Sequence, residues 1–182
     1  SSDPPAPFEG QVWYNSNSAA VKYFANLSAA WSTGGALGTA RYDSGGCGTQ
    51  ASALCFGGQD QDEDIVAATE EYGGTSWTSG GALSLARTNM GSAGTQTAGL
   101  AFGGGTGTFS DKTEEYNGSS WTSGGDLPSA KEGLRGAGTQ TAALAIGGFG
   151  TNTAEEYNGS SWTAGGNLPA GKSMMASGGL QT

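Results

Sequence analysis

Short apolar runs recur along this chain, none longer than a strand, and each ends on a pair of glycines. ASALCFGG (51–58), TAGLAFGG (97–104) and TAALAIGG (141–148) are three versions of one segment. Each reads as a strand that stops at a sharp bend, where only a residue without Cβ is comfortable. Between them the pattern turns polar and then returns to a single large aromatic. Trp31, Trp77, Trp121 and Trp162 open the segments WSTGGAL, WTSGGAL, WTSGGDL and WTAGGNL.

Counted from each Trp, the pattern holds its register. Leu37, Leu83, Leu127 and Leu168 stand at +6, and a basic residue (Arg41, Arg87, Lys131, Lys172) stands at +10. Gly48, Gly94, Gly138 and Gly179 are at +17, inside or beside a GTQ turn in the first three repeats. Tyr72, Tyr116 and Tyr157 lie five residues before the next Trp, each preceded by Glu-Glu. The Trp-to-Trp spacings are 46, 44 and 41, and all of that variation falls between the second glycine pair and the Tyr.

Each period resolves into four strands. The first spans 41–48, 88–94 or 132–138, and the apolar run is the second. The third ends at Glu-Glu-Tyr, and the Trp strand is the fourth. Asn117-Gly118 and Asn158-Gly159, with Gly73-Gly74 as their counterpart, supply the turn before the Trp. Four short strands at this period predict an all-β propeller of four-stranded blades. Counted from Trp, the blades are 31–76, 77–120 and 121–161, with 162–182 a partial fourth. Residues 1–30 form a separate extended segment and hairpin. Strands near 11–14 and 21–24, Trp31 and 172–179 together offer a composite fourth blade. The open alternatives are further blades beyond the chain, or a ring shared between chains.

Composition changes this picture less than it first suggests. Glycine contributes 35 of 182 residues, while Leu, Ile, Val and Phe together number only 22, and the net charge is −9. Those values alone point to disorder, but the strict period and the aromatic in every repeat overrule them. The acidic balance excludes a nucleic-acid surface, which needs a basic face, and an anionic membrane surface. No apolar run approaches bilayer length, no signal peptide is visible, and position 1 is Ser.

Taken together, the glycine pair, the Tyr, the Trp, Leu168-Pro169 and Lys172 resemble the kelch family over residues 31–182, although Tyr and Trp are closer together than is usual there. The opening PPAPFEGQVWYNSNSAAVKYF, and the repeated AGTQTAALAxGG…EEYNGSSWT wording, are similar to bacteriophage tail-fibre and other virion structural proteins of the marine-phage type. The resemblance implies a virion surface module (tail fibre, appendage or capsid decoration) that adheres to host glycans or a host receptor and contacts other virion proteins. A cellular adhesion or protein-interaction propeller is the alternative. The kelch-type propeller of galactose oxidase uses two His ligands to copper. This chain has no His, so that activity is not carried over, and Ser-His-Asp and Cys-His chemistry is excluded with it.

No catalytic site is expected. The pairs Glu70-Glu71, Glu114-Glu115 and Glu155-Glu156 recur in every repeat, so they read as scaffold, paired with the +10 bases of their own or a neighbouring blade. Cys47 and Cys55 replace alanines of the other repeats and read as small packers without a disulfide. Trp31, Trp77, Trp121, Trp162, Tyr72, Tyr116 and Tyr157 are the structural anchors, with Trp77, Trp121 and Tyr116 expected mostly buried between blades. Length-variable loops on one face mark the binding surface: 59–69, 105–113 and 149–154, with Asp60, Asp62, Asp64, Phe109, Asp111, Lys112, Phe149 and Asn152. The Asp60, Asp62, Asp64 spacing partly matches a calcium loop, but Ile65 stands where that loop needs glycine. We read it as a solvated loop and retain calcium as the sole cofactor that this chemistry would admit. The expected partners are thus protein or glycan, with homo-oligomers included, and no nucleic acid or membrane.

Overall fold

The computed structural model describes residues 34–171 and the strands β1 (Val12–Asn15) and β2 (Ala20–Tyr23). Two compact units divide the chain, 1–33 and 34–182. In the first, β1 and β2 pair antiparallel, Val12 against Tyr23 and Asn15 against Ala20. Trp31, Lys172 and the proposed pairing of 172–179 with the N-terminal segment lie outside the described residues.

The second unit is all-β, and its described residues contain no helix. A short pair, β3 (Arg41–Tyr42) with β6 (Gln59–Asp60), precedes and flanks the first sheet. That sheet is a meander of β4 (Gly45–Thr49), β5 (Ser52–Phe56), β7 (Thr69–Tyr72) and β8 (Trp77–Ser79). The second comprises β9 (Gly91–Thr95), β10 (Ala98–Phe102), β11 (Thr113–Tyr116) and β12 (Trp121–Ser123). The third comprises β13 (Arg135–Thr139), β14 (Ala142–Ile146), β15 (Ala154–Tyr157) and β16 (Trp162–Ala164). All three are antiparallel, and each closes on the Trp that opens the next period, so sheet boundaries cut across Trp-to-Trp periods.

The first strands are shorter than the sequence pattern suggests. They begin at Gly45, Gly91 and Arg135, because the residue at +12 is left-handed in each of the three described repeats: φ is 52° at Asp43, 54° at Asn89 and 71° at Gly133. A left-handed residue interrupts a strand. The break has a use, since the Asn89 amide donates to the Asp43 carbonyl and the Gly133 amide to the Asn89 carbonyl, each at 2.9 Å. This run of bonds ties the three strand entries together.

Two cores lie between successive sheets. Leu54, Phe56, Leu83, Met90, Ala101, Tyr116 and Trp121 form the first. Leu100, Phe102, Leu127, Leu134, Tyr157 and Trp162, with small alanines, form the second. In each, the Phe that ends one sheet's second strand meets the next sheet's Trp. Ring centroids are 4.7 Å apart for Phe56 and Trp121 and 4.8 Å for Phe102 and Trp162, in the range where aromatic pairs gain energy beyond their buried area. Glycine makes room for the rings: a Cβ on Gly45 would stand 2.4 Å from Phe56, and one on Gly91 2.3 Å from Phe102. Trp121 and Tyr116 are buried as expected. Trp77 is only half-buried: it has the Tyr72 ring of its own sheet, as Trp121 has Tyr116, but among the described residues no Phe of a preceding sheet packs on it.

Polar contacts repeat with the same offset. The indole N–H of Trp121 donates to the Thr69 hydroxyl and that of Trp162 to Thr113, both at 2.9 Å. The side-chain amide of Gln96 reaches the carbonyls of Ala53 and Tyr72, and that of Gln140 reaches Gly99 and Tyr116. Each turn glutamine thus fills backbone acceptors in the preceding sheet, where an unpaired carbonyl would be costly.

Candidate functional site

Beneath the loops the repeated acids and bases form three buried ion pairs. Arg41 pairs with Glu70, Arg87 with Glu114 at 2.8 Å, and Lys131 with Glu155, each pair within one Trp-to-Trp period. Arg87 is completely buried, and its Nη1 also donates to the carbonyls of Gly103 and Lys112, which flank the loop above it. Burial lowers its pKa and Glu114 opposes that shift. In the first two pairs the second Glu looks outward to the next sheet: the Tyr116 hydroxyl donates to Glu71 at 2.5 Å and the Tyr157 hydroxyl to Glu115 at 2.6 Å. Burial, and then the carboxylate partner, pushes both phenols up to about 12. Glu70, Glu71, Glu114, Glu115 and Glu155 are thus each held by a partner within the sheets and their connections.

The variable loops all leave from the end of the sheets where second strands finish and first strands begin. In the first, the Asp60 carboxylate accepts from the amides of Asp62 and Asp64 at 3.0 Å each, and Gln59 caps the Glu63 carbonyl. Asp60 is half-buried and works as a turn brace, while Asp62 and Asp64 are exposed. The described residues contain no group of three or more acidic, His or Cys side chains disposed to hold one ion.

In the second loop Gly105 bridges to Thr88 and Phe109, and Ser110 to Lys131. Phe109 stands 50% exposed at its tip. Lys112 sits between Asp111 and Asp126, and its hydrogen bonds to those two carboxylates raise its pKa. In the third loop Phe149 is 39% exposed, anchored by its amide to the Glu132 carbonyl at 2.9 Å, with its ring over Gly133. Asn152 faces inward: its Nδ2 donates to the Leu168 carbonyl at 2.8 Å while its carbonyl accepts from the Leu168 amide at 2.7 Å. Its side chain clasps the chain leaving β16.

The structure adds a residue that loop length could not reveal. Tyr42 is 47% exposed at the same end, paired with Gln59 of the acidic loop. Its position, +11, holds Tyr, Thr and Glu in successive repeats, beside an invariantly basic +10; that variation was the available signal. Three of the four large exposed apolar side chains among the described residues, Tyr42, Phe109 and Phe149, therefore share one end of the sheets.

A separate cavity of about 370 Å³ opens beside the Arg41–Glu70 pair, lined also by Ala68, Thr69, Gly80 and Ala82. In the second sheet the bulkier Lys112 and Asp126 take the positions of Ala68 and Ala82 and bridge each other. Cys47 donates to the Thr95 carbonyl, and burial pushes its thiol up to about 12. Both it and Cys55 are free thiols.

Comparison with known proteins found no matching family model and no matching curated protein.

Proposed function

We propose that the chain is a kelch-like propeller module of a bacteriophage virion surface, serving adhesion rather than catalysis, with the variable-loop end as its contact face. One observation carries this reading. Sheets, ion pairs and inter-sheet bonds repeat in fixed register, while the loops that carry Phe109 and Phe149 to solvent differ in length, and the exposed Tyr42 pairs with the start of the first such loop. Exposed aromatics held on a rigid frame are what a binding surface needs, since little ordering entropy is then lost on contact. The acidic flanks favour a neutral or basic partner, such as a host glycan or receptor.

The test is a loop exchange. Replacing 59–69, 105–113 and 149–154 together with unrelated loops of equal length is expected to abolish attachment to host cells or to a glycan panel. The far-ultraviolet circular dichroism should stay unchanged. Attachment that survives the exchange rules out this face. Finding the chain in purified particles by mass spectrometry separates the virion reading from a cell-surface adhesion domain.

A further inference from the structure

We infer that Asn117 and Asn158 are sites of spontaneous deamidation, in two turns that combine the reactive dipeptide with a polarised side-chain carbonyl. The heptapeptide YNGSSWT occurs twice, at 116–122 and 157–163. In both copies the Asn is exposed and links the third strand to the Trp strand. Its Oδ1 is the focus of the turn. At Asn117 it accepts from the Ser119 amide (3.0 Å), the Ser120 amide (3.0 Å) and the Ser119 hydroxyl (2.9 Å). At Asn158 it accepts from the Ser160 amide, the Ser161 amide and the Ser160 hydroxyl, each at 3.0 Å.

Donors converging on one carbonyl oxygen draw electron density from its carbon and stabilise negative charge that builds on the oxygen. The nucleophile is the next backbone nitrogen. Gly118 and Gly159 carry no side chain to obstruct it, and among the described residues neither amide donates a hydrogen bond. After base removes the glycine amide proton, that nitrogen attacks the Asn Cγ. The new C–N bond closes a succinimide, the Cγ–Nδ2 bond breaks, and ammonia leaves. Water then opens the ring at either carbonyl, giving aspartate or isoaspartate. The net change exchanges an amide and water for a carboxylate and ammonia, with no oxidant or reductant.

The molecule carries its own comparison. The equivalent turn before Trp77 is Gly73-Gly74 and has no amide to lose. Asn89, Asn152 and Asn167 precede Met90, Thr153 and Leu168, whose side chains crowd the attacking nitrogen.

The whole folded chain and the synthetic peptide YNGSSWT are incubated side by side at neutral and mildly alkaline pH. Digestion at acid pH and mass spectrometry then read replacement of –NH2 by –OH at each Asn, and chromatography separates the isoaspartyl form. Among the asparagines of residues 34–171, the expected result is conversion at 117 and 158 only, faster at the higher pH. The rate should fall within about tenfold of the free peptide, a barrier difference under about 1.4 kcal/mol. Folded protein that keeps both amides while the peptide converts overturns the inference, as does conversion spread evenly over all the asparagines.

Discussion

Glu155 shows how a single backbone atom propagates into the interior. The Oε2 of Glu114 accepts from the Ser84 amide at 2.7 Å, and that of Glu70 from the Gly38 amide at 2.6 Å. The third repeat has Pro128 at the same place, seven residues after Trp121, and proline has no N–H. The Oε2 of Glu155 is buried there without a hydrogen-bond partner among the described residues. An unmet buried acceptor costs about 1–3 kcal/mol, while the unfolded-chain entropy that proline removes is worth only about 0.4–1 kcal/mol. Pro128→Ser, which copies the second repeat, is therefore expected to stabilise the protein by about 1 kcal/mol, the difference between those two terms. Urea unfolding of the two forms reads this directly, and a loss of stability would mean that the serine amide does not reach the carboxylate.

At the level of elements, the Trp strand is the shortest in each sheet and the one that joins sheets. β12 has three residues, of which Thr122 and Ser123 are exposed, yet Trp121 packs on Phe56 and bonds Thr69 of the sheet before. Trp121→Ala is expected to cost about 3–5 kcal/mol, the range for large core truncations; thermal unfolding measures it, and a loss below about 1 kcal/mol would place the strand at an exposed edge. Trp77→Ala should cost less, because Trp77 is only half-buried. These strands were legible in the sequence because glycine pairs, Glu-Glu-Tyr and Trp recur as the same residues at the same offsets. The left-handed break at +12 had its own signal, since Asp43, Asn89 and Gly133 are of the types that most readily take positive φ, but no single residue type recurs there. Loop length marked the variable end of the sheets but could not tell the exposed Phe109 from the hydrogen-bonded Asn152. Both are polar-loop residues, and only hydrogen bonding separates them.

Across the whole unit, three contacts repeat with one direction at both described interfaces, the later sheet giving a phenol, an indole and a glutamine amide to the earlier one. The phenols make this alignment sensitive to alkali. Tyr116 and Tyr157 are raised from 10 to about 12 in the folded chain. Their contribution to stability is intact below the unfolded value near 10 and is lost as pH climbs from about 10 to about 12, where the unfolded chain releases the protons first. The urea midpoint should drop across that window, and less steeply in Tyr116→Phe/Tyr157→Phe; equal slopes would detach the phenols from the effect. Because the giving face and the receiving face are the same for each described neighbour, one period is also a unit of heredity. An in-frame duplication or recombination between near-identical repeats would insert a sheet that already fits both sides, so a lineage can exchange its loop set wholesale, leaving the joints between sheets untouched.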